Sequence, residues 1–109
     1  MKSIAVLCSD KNLNSRIEEM CADFNPLLEP EFLWEKSGII EFLNYDLPEI
    51  NVLNCADEKI DVQEIIDLIN NDPWLHYGGV IALYNGGDTK ELTEMLRRVN
   101  LIAFIRIGE

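Results

Sequence analysis

The feature that most constrains this chain is the order in which two kinds of hydrophobic pattern alternate along it. Five short aliphatic runs, at residues 4–8, 32–34, 50–53, 80–84 and 101–107, are separated by four segments whose apolar residues recur at helical spacing. Short apolar runs bounded by turn residues read as strands. Four of the five are almost continuously apolar, the mark of strands buried on both faces of a parallel sheet. The exception, at 32–34, follows Pro30 and is flanked by Glu31 and Glu35, as suits an edge strand, where proline removes no ladder bond and charge discourages further pairing.

The helical segments carry their own start and stop signals. Leu13, Ile17, Met20, Cys21 and Phe24 fall on one face of a first helix, with Arg16, Glu18, Glu19 and Asp23 on the other, an amphipathic pattern that predicts burial of the apolar face. A short second helix follows Ser37, carries Ile39, Ile40, Phe42 and Leu43, and stops at Asp46-Leu47-Pro48. In the third, Asp61 with Glu64 forms a capping box, Ile60 and Ile65 are placed for a hydrophobic staple, and Val62, Ile65, Ile66 and Ile69 make the buried stripe. Asn85-Gly86-Gly87 makes a turn, and Asp88 with Glu91 opens a fourth helix that turns Leu92, Met95, Leu96 and Val99 inward. The lone histidine, His76, falls in Pro73-Trp74-Leu75-His76-Tyr77, read as a loop before the fourth strand.

Strand and helix thus alternate four times before a fifth strand. Such an order implies a parallel sheet with right-handed crossovers and helices on both faces. No linker, low-complexity tract or second domain interrupts it, and residues 1–109 are read as one domain.

Charge and composition remove several function classes. Twenty Asp and Glu stand against nine Lys and Arg, for a net charge of −11, and no basic stripe offsets them. Direct binding to nucleic acid or to an anionic membrane, each of which draws on clustered Lys and Arg, is not expected. With 48% hydrophobic residues the chain is too apolar for a disordered segment, yet its longest apolar runs are far short of a membrane span. Cys8, Cys21 and Cys55 are odd in number and lack metal-ligand spacing, which predicts reduced, buried thiols in a cytoplasmic protein.

A doubly wound sheet presents its chemistry just beyond the carboxyl ends of its strands. Here those positions hold Ser9-Asp10, Asn54-Cys55, Tyr84-Asn85 and Arg106. In this layout the chain resembles the receiver domain of bacterial response regulators over nearly its whole length. Ala5-Val6-Leu7-Cys8-Ser9-Asp10 is similar to the family's first strand, which ends in an acidic pair. Pro48-Glu49-Ile50-Asn51-Val52-Leu53-Asn54 is similar to its third strand, which ends in a phosphoacceptor Asp, and Val80-Ile81-Ala82-Leu83-Tyr84-Asn85 to its fourth, which ends in a small hydroxyl residue. The resemblance implies a flavodoxin-like α/β fold with strand order 2-1-3-4-5. It also implies that the helix which in the family follows the fifth strand is missing or truncated, and that the chain is the N-terminal part of a longer signalling protein.

The departures from the family pattern shape the functional expectation. Asn54 stands at the nucleophile position, and an amide cannot form the acyl phosphate that a carboxylate forms. Ser9 replaces one acid of the pair, leaving Asp10 as a weak metal candidate, so Mg²⁺ binding is expected to be weak or absent and no other cofactor is expected. Tyr84 replaces the small hydroxyl residue. Arg106 aligns with the family's Lys, although a register placing Phe104 at the family's aromatic position would put Ile107 there instead.

The expected function is therefore that of a degenerate receiver: a non-enzymatic, non-phosphorylatable interaction module in two-component signal transduction. Its partner would be another protein or its own C-terminal output domain, and homodimerisation through an uncovered sheet face is expected. By resemblance the stretch 89–107 is the contact surface. Alternatives are a working phosphorelay receiver using a displaced acid such as Asp57, whose loop is expected to point it away from the site; a small-molecule-binding flavodoxin-like protein, which lacks the Gly-rich fingerprint; and an unrelated α/β regulatory domain such as an anti-sigma-factor antagonist.

Overall fold

All five strands form, and every pairing is parallel. The computed structural model describes residues 4–87 and 89–107. Along the chain run β1 (Ile4–Leu7), α1 (Lys11–Phe24), β2 (Pro30–Leu33), α2 (Lys36–Asp46), β3 (Ile50–Asn54), α3 (Val62–Asn71), α4 (Pro73–Tyr77), β4 (Gly79–Tyr84), α5 (Lys90–Leu96) and β5 (Leu101–Arg106). The sheet order is β2-β1-β3-β4-β5, the doubly wound flavodoxin-like arrangement, with the Pro30-bearing strand at one edge and β5 at the other. Leu7 pairs with Leu33 and Leu53, Asn54 with Leu83, and Tyr84 with Arg106. The carboxyl ends of the strands therefore finish along one edge of the sheet.

The two faces are unequally covered. One carries the main core, in which Ala5, Leu53 and Val80 of the strands meet Ile39 and Leu43 of α2, Ile65, Ile66 and Ile69 of α3, Leu75 of α4 and Leu96 of α5. The other is smaller: Val6, Cys8, Val52 and Leu83, with Leu13 and Ile17 of α1 against them. No residue of α1 is fully buried, and Met20 and Phe24 stand exposed. That corrects the expectation that the whole apolar stripe of the first helix turns inward. The periodicity is helical as read, but among the described residues only α1 lies over this face, and none of them buries the flank carrying Met20 and Phe24.

Local signals act in part as expected; of the capping box at α3 the Asp61 half forms, while the Glu64 carboxylate meets Lys36 Nζ at 2.8 Å. Asp61 accepts from the Glu64 N–H at 3.1 Å and caps α3, while Ile60 and Ile65 are both buried in the main core. Gly86 and Gly87 take positive φ values of 97° and 75°, a conformation open to glycine at little cost. α2 stops at Leu47, itself left-handed at φ 47°, ahead of Pro48. The stretch around His76 is corrected from loop to one helical turn: Asp72 Oδ1 accepts from the Trp74 and Leu75 N–H groups, Pro73 occupies the first turn, and Leu75 is buried. The Asp88 half of the proposed fourth cap lies outside the described residues. Thr89 occupies the N-cap position of α5 without a side-chain capping bond.

Candidate functional site

The loops beyond β1 and β3 meet, and three side chains tie them together. Asn54, the last residue of β3, is buried and has both ends of its amide engaged: Nδ2 donates to the Cys8 sulfur at 3.2 Å, and Oδ1 accepts the Ala56 N–H at 3.0 Å. Burial pushes the Cys8 thiol above its ordinary range, against the opposing bond from Asn54. Cys55, next along the loop, is pushed up by burial to about 11, so neither thiol is an activated nucleophile near neutral pH. The three thiols are unpaired by disulfides, but only Cys8 is fully buried, Cys21 and Cys55 being partly exposed.

Asp57 enters this site, contrary to the expectation that its loop points it away. Its carboxylate accepts the Ser9 N–H at 2.5 Å and the Ser9 hydroxyl at 2.7 and 2.9 Å to the two oxygens. A tight turn after β3 brings it back, with the Asp57 N–H donating to the Asn54 carbonyl at 3.2 Å and the Lys59 N–H donating to Asp57 Oδ1 at 3.0 Å. Ser9, read as a lost acid, is thus the donor that holds a different acid. Nothing in the spacing of Asp57 carries this; the available hint was that a short polar loop leaving a strand at an Asn-capped turn often folds back on itself.

Asp10 is the N-cap of α1, its Oδ1 accepting from the N–H groups of Asn12 and Leu13 at 3.0 and 3.1 Å. Mg²⁺ takes near-octahedral oxygen coordination and relies on carboxylates. Here Asp10 is bonded to a helix terminus, Asp57 to Ser9, and β3 ends in an amide; among the described residues no three of His, Cys, Asp and Glu gather as a ligand set. These donors do not fit a Mg²⁺ centre.

Tyr84 lines a neighbouring cleft, and Arg106 lies behind it against Gly86. The Tyr84 ring stacks on Phe104 with centroids 4.1 Å apart and planes 13° from parallel. It borders an open cleft of about 290 Å³ together with Cys55, Gly86, Leu92 and Met95. The Arg106 guanidinium lies against Gly86, where a Cβ would stand 3.2 Å from Nη2. Ile107 instead packs against the cluster that contains Cys8, the partner of Asn54. The structure therefore gathers Ser9, Asn54 and Asp57, with Asp10 capping the adjoining helix, and sets Arg106 with Tyr84 beside the cleft.

With this geometry in hand, the chain can be set beside known proteins. No family model matches the sequence, and no curated protein matches it. Solved structures do. A two-component response regulator from Legionella pneumophila superposes with a TM-score of 0.83 over 97% of this chain and 86% of its own, at 13% identity. The fold is that of a receiver domain. The signal receiver domain of a DNA-binding response regulator from Colwellia psychrerythraea gives a TM-score of 0.78 at 14% identity, over 94% of this chain and 85% of its own. The phosphorylated cyanobacterial phytochrome response regulator RcpA gives 0.76 at 19% identity, over 98% and 81%. At these identities the receiver likeness establishes the fold alone. No helix among the described residues is long and apolar enough to cross a membrane.

Proposed function

We propose that this chain is a receiver-fold regulatory module in two-component-type signal transduction, one that works by protein contact and takes no phosphoryl group at the end of β3. The observation that carries the reading is the state of Asn54: an amide at the strand end, buried, with its nitrogen on Cys8 and its oxygen on Ala56. An amide in that position offers no carboxylate oxygen for phosphoryl transfer. We assign the contact surface to α5 and β5, residues 89–107, and the partner to another protein or an output domain of the same polypeptide in a reducing, cytoplasmic setting. The module has no catalytic residue of its own.

The test is incubation with a small phosphodonor and Mg²⁺, followed by intact mass. The unmodified protein is expected to gain no phosphoryl group, while a chain carrying Asn54→Asp with Ser9→Asp begins to bind Mg²⁺. A labile adduct on the unmodified chain would overturn the reading.

A second reading keeps phosphoryl transfer but moves it to Asp57, and the placement of that carboxylate on Ser9 is what favours it. It requires an adduct that disappears in Asp57→Asn.

A further inference from the structure

The edge of the sheet opposite the candidate site carries an unusual concentration of exposed aromatic surface. Three helix-to-strand connections arrive there. The one from α1 to β2 presents Phe24 and Leu27, 85% and 76% exposed; the one from α2 to β3 presents Tyr45, 83% exposed; and α4, leading into β4, presents Trp74 and Tyr77, 74% and 82% exposed. The second and third are in direct contact, since the Gly79 N–H donates to the Glu49 carbonyl at 2.9 Å. Isolated exposed apolar side chains are ordinary, but several large ones gathered at one end of a small domain mark an interaction surface. Trp and Tyr are also the side chains that most often dominate binding energy.

The charge around them says what the partner carries. Asp23, Glu29, Asp46, Glu49 and Asp72 lie in these same connections, and residues 23–30, 44–50 and 70–79 contain no Lys or Arg. The fourth connection, from α5 to β5, brings Arg97 and Arg98. Each faces a carboxylate of its own chain: Arg97 reaches Glu94 at 3.8 Å and Arg98 reaches Asp67 at 2.6 Å. Aromatic faces interleaved with carboxylates attract a cation twice, through the ring quadrupole and through charge.

We propose that this end of the molecule is a docking surface for a basic peptide segment of a partner protein, with Trp74, Tyr77 and Tyr45 stacking against Arg or Lys side chains and Asp46, Glu49 and Asp72 facing their charge. It lies at the opposite edge of the sheet from Asn54 and is independent of whether the chain accepts a phosphoryl group. Arg is favoured over Lys, because a planar guanidinium stacks on an aromatic face while its N–H groups reach a carboxylate.

The test uses Trp34→Phe, which leaves Trp74 as the one tryptophan and makes its fluorescence report on this surface. Titration with a synthetic peptide alternating Arg and Leu is expected to give a saturable change that weakens with added salt, and the same peptide with Glu in place of Arg is expected to give none. Asp46→Asn with Glu49→Gln, a pair of exposed charge changes, is expected to weaken binding at least fivefold, and Tyr45→Ala similarly. Glu18→Gln with Glu19→Gln, on the outer face of α1, is expected to change it less than twofold. Equal losses from both charge pairs would reduce the effect to the net charge of the chain and overturn the proposal. So would the absence of a saturable signal, or a concentration-dependent change in Trp74 emission without peptide, which would assign the surface to a second copy of the chain.

Discussion

Asp57 and Asn51 show how much a single polar side chain can decide in a core of this size. Partial burial pushes the Asp57 carboxyl up, but the Ser9 N–H, the Ser9 hydroxyl, and the N–H and charge of Lys59 together hold it below its ordinary value of 3.8. A carboxyl whose pKa is lower in the folded state stabilises that state fully above its unfolded value, and the stabilisation is lost as pH falls through the folded one. Urea unfolding should therefore find Asp57→Asn less stable than the unmodified chain by about 1 kcal/mol near neutral pH, with the gap closing below 3.8; a gap independent of pH would show that the carboxylate is not what holds Ser9. Asn51 presents the opposite case. It is fully buried between Ala5 and Val80, and among the described residues neither its Oδ1 nor its Nδ2 has a hydrogen-bond partner. A buried amide without partners costs about 1–3 kcal/mol, so Asn51→Leu, which keeps the branching and removes the polar atoms, should raise the urea midpoint. A lowered midpoint would mean that the amide is satisfied by something the apolar side chain cannot replace.

At the scale of elements, what could be read from the sequence was what the chain determines locally. Asp61 fixes the start of α3 because both partners of its capping bond lie within four residues, and the strands follow from their short aliphatic runs; burial on both faces holds for β1, β3 and β4, but not for β5, which reads as equally apolar yet is largely exposed at the sheet edge. α4 escaped because one turn with a single inward residue, Leu75, has no period to detect; Asp72 before Pro73 was the usable signal, an N-cap followed by a proline in the first turn. Met20 and Phe24 show the reverse limit, since periodicity states which face is apolar but not whether anything lies against it. The site was legible in position, at the strand ends, but not in its contacts: the reach of Asp57 to Ser9 spans 48 residues and depends on the turn after β3. Such long-range fits set tight tolerances elsewhere. Gly78 has an ordinary φ of −67°, yet a Cβ there would stand 2.8 Å from the Glu49 carbonyl oxygen, and backbone cannot swing aside as a side chain can. Gly78→Ala should therefore destabilise the fold by about 1–3 kcal/mol through overpacking, visible as a lowered melting temperature; an unchanged one would mean that the connections into β3 and β4 are free to separate.

At the scale of the whole molecule, hydrophobic coverage and charge pull in opposite directions. β5 is an edge strand whose Leu101 and Ile105 are exposed, and an open edge carrying apolar side chains is a template for pairing with another chain. Against it stands a net charge of −11, which repels a second copy at low ionic strength and is screened within about 8 Å at physiological salt. The strip is also small beside the roughly 1,200–2,000 Å² that a stable interface buries. The expected result is weak self-association through β5 that strengthens as salt is added, the reverse of the salt dependence expected for a basic peptide at the amino ends of the strands. Sedimentation velocity over a concentration series should show a coefficient that rises with concentration, more steeply at high salt, and Ile105→Lys should flatten it by placing a charge on the edge. A coefficient constant across both series, or an Ile105→Lys protein that associates as the unmodified chain does, would show that β5 is not a contact between copies and leave α5 and β5 free for the heterologous partner.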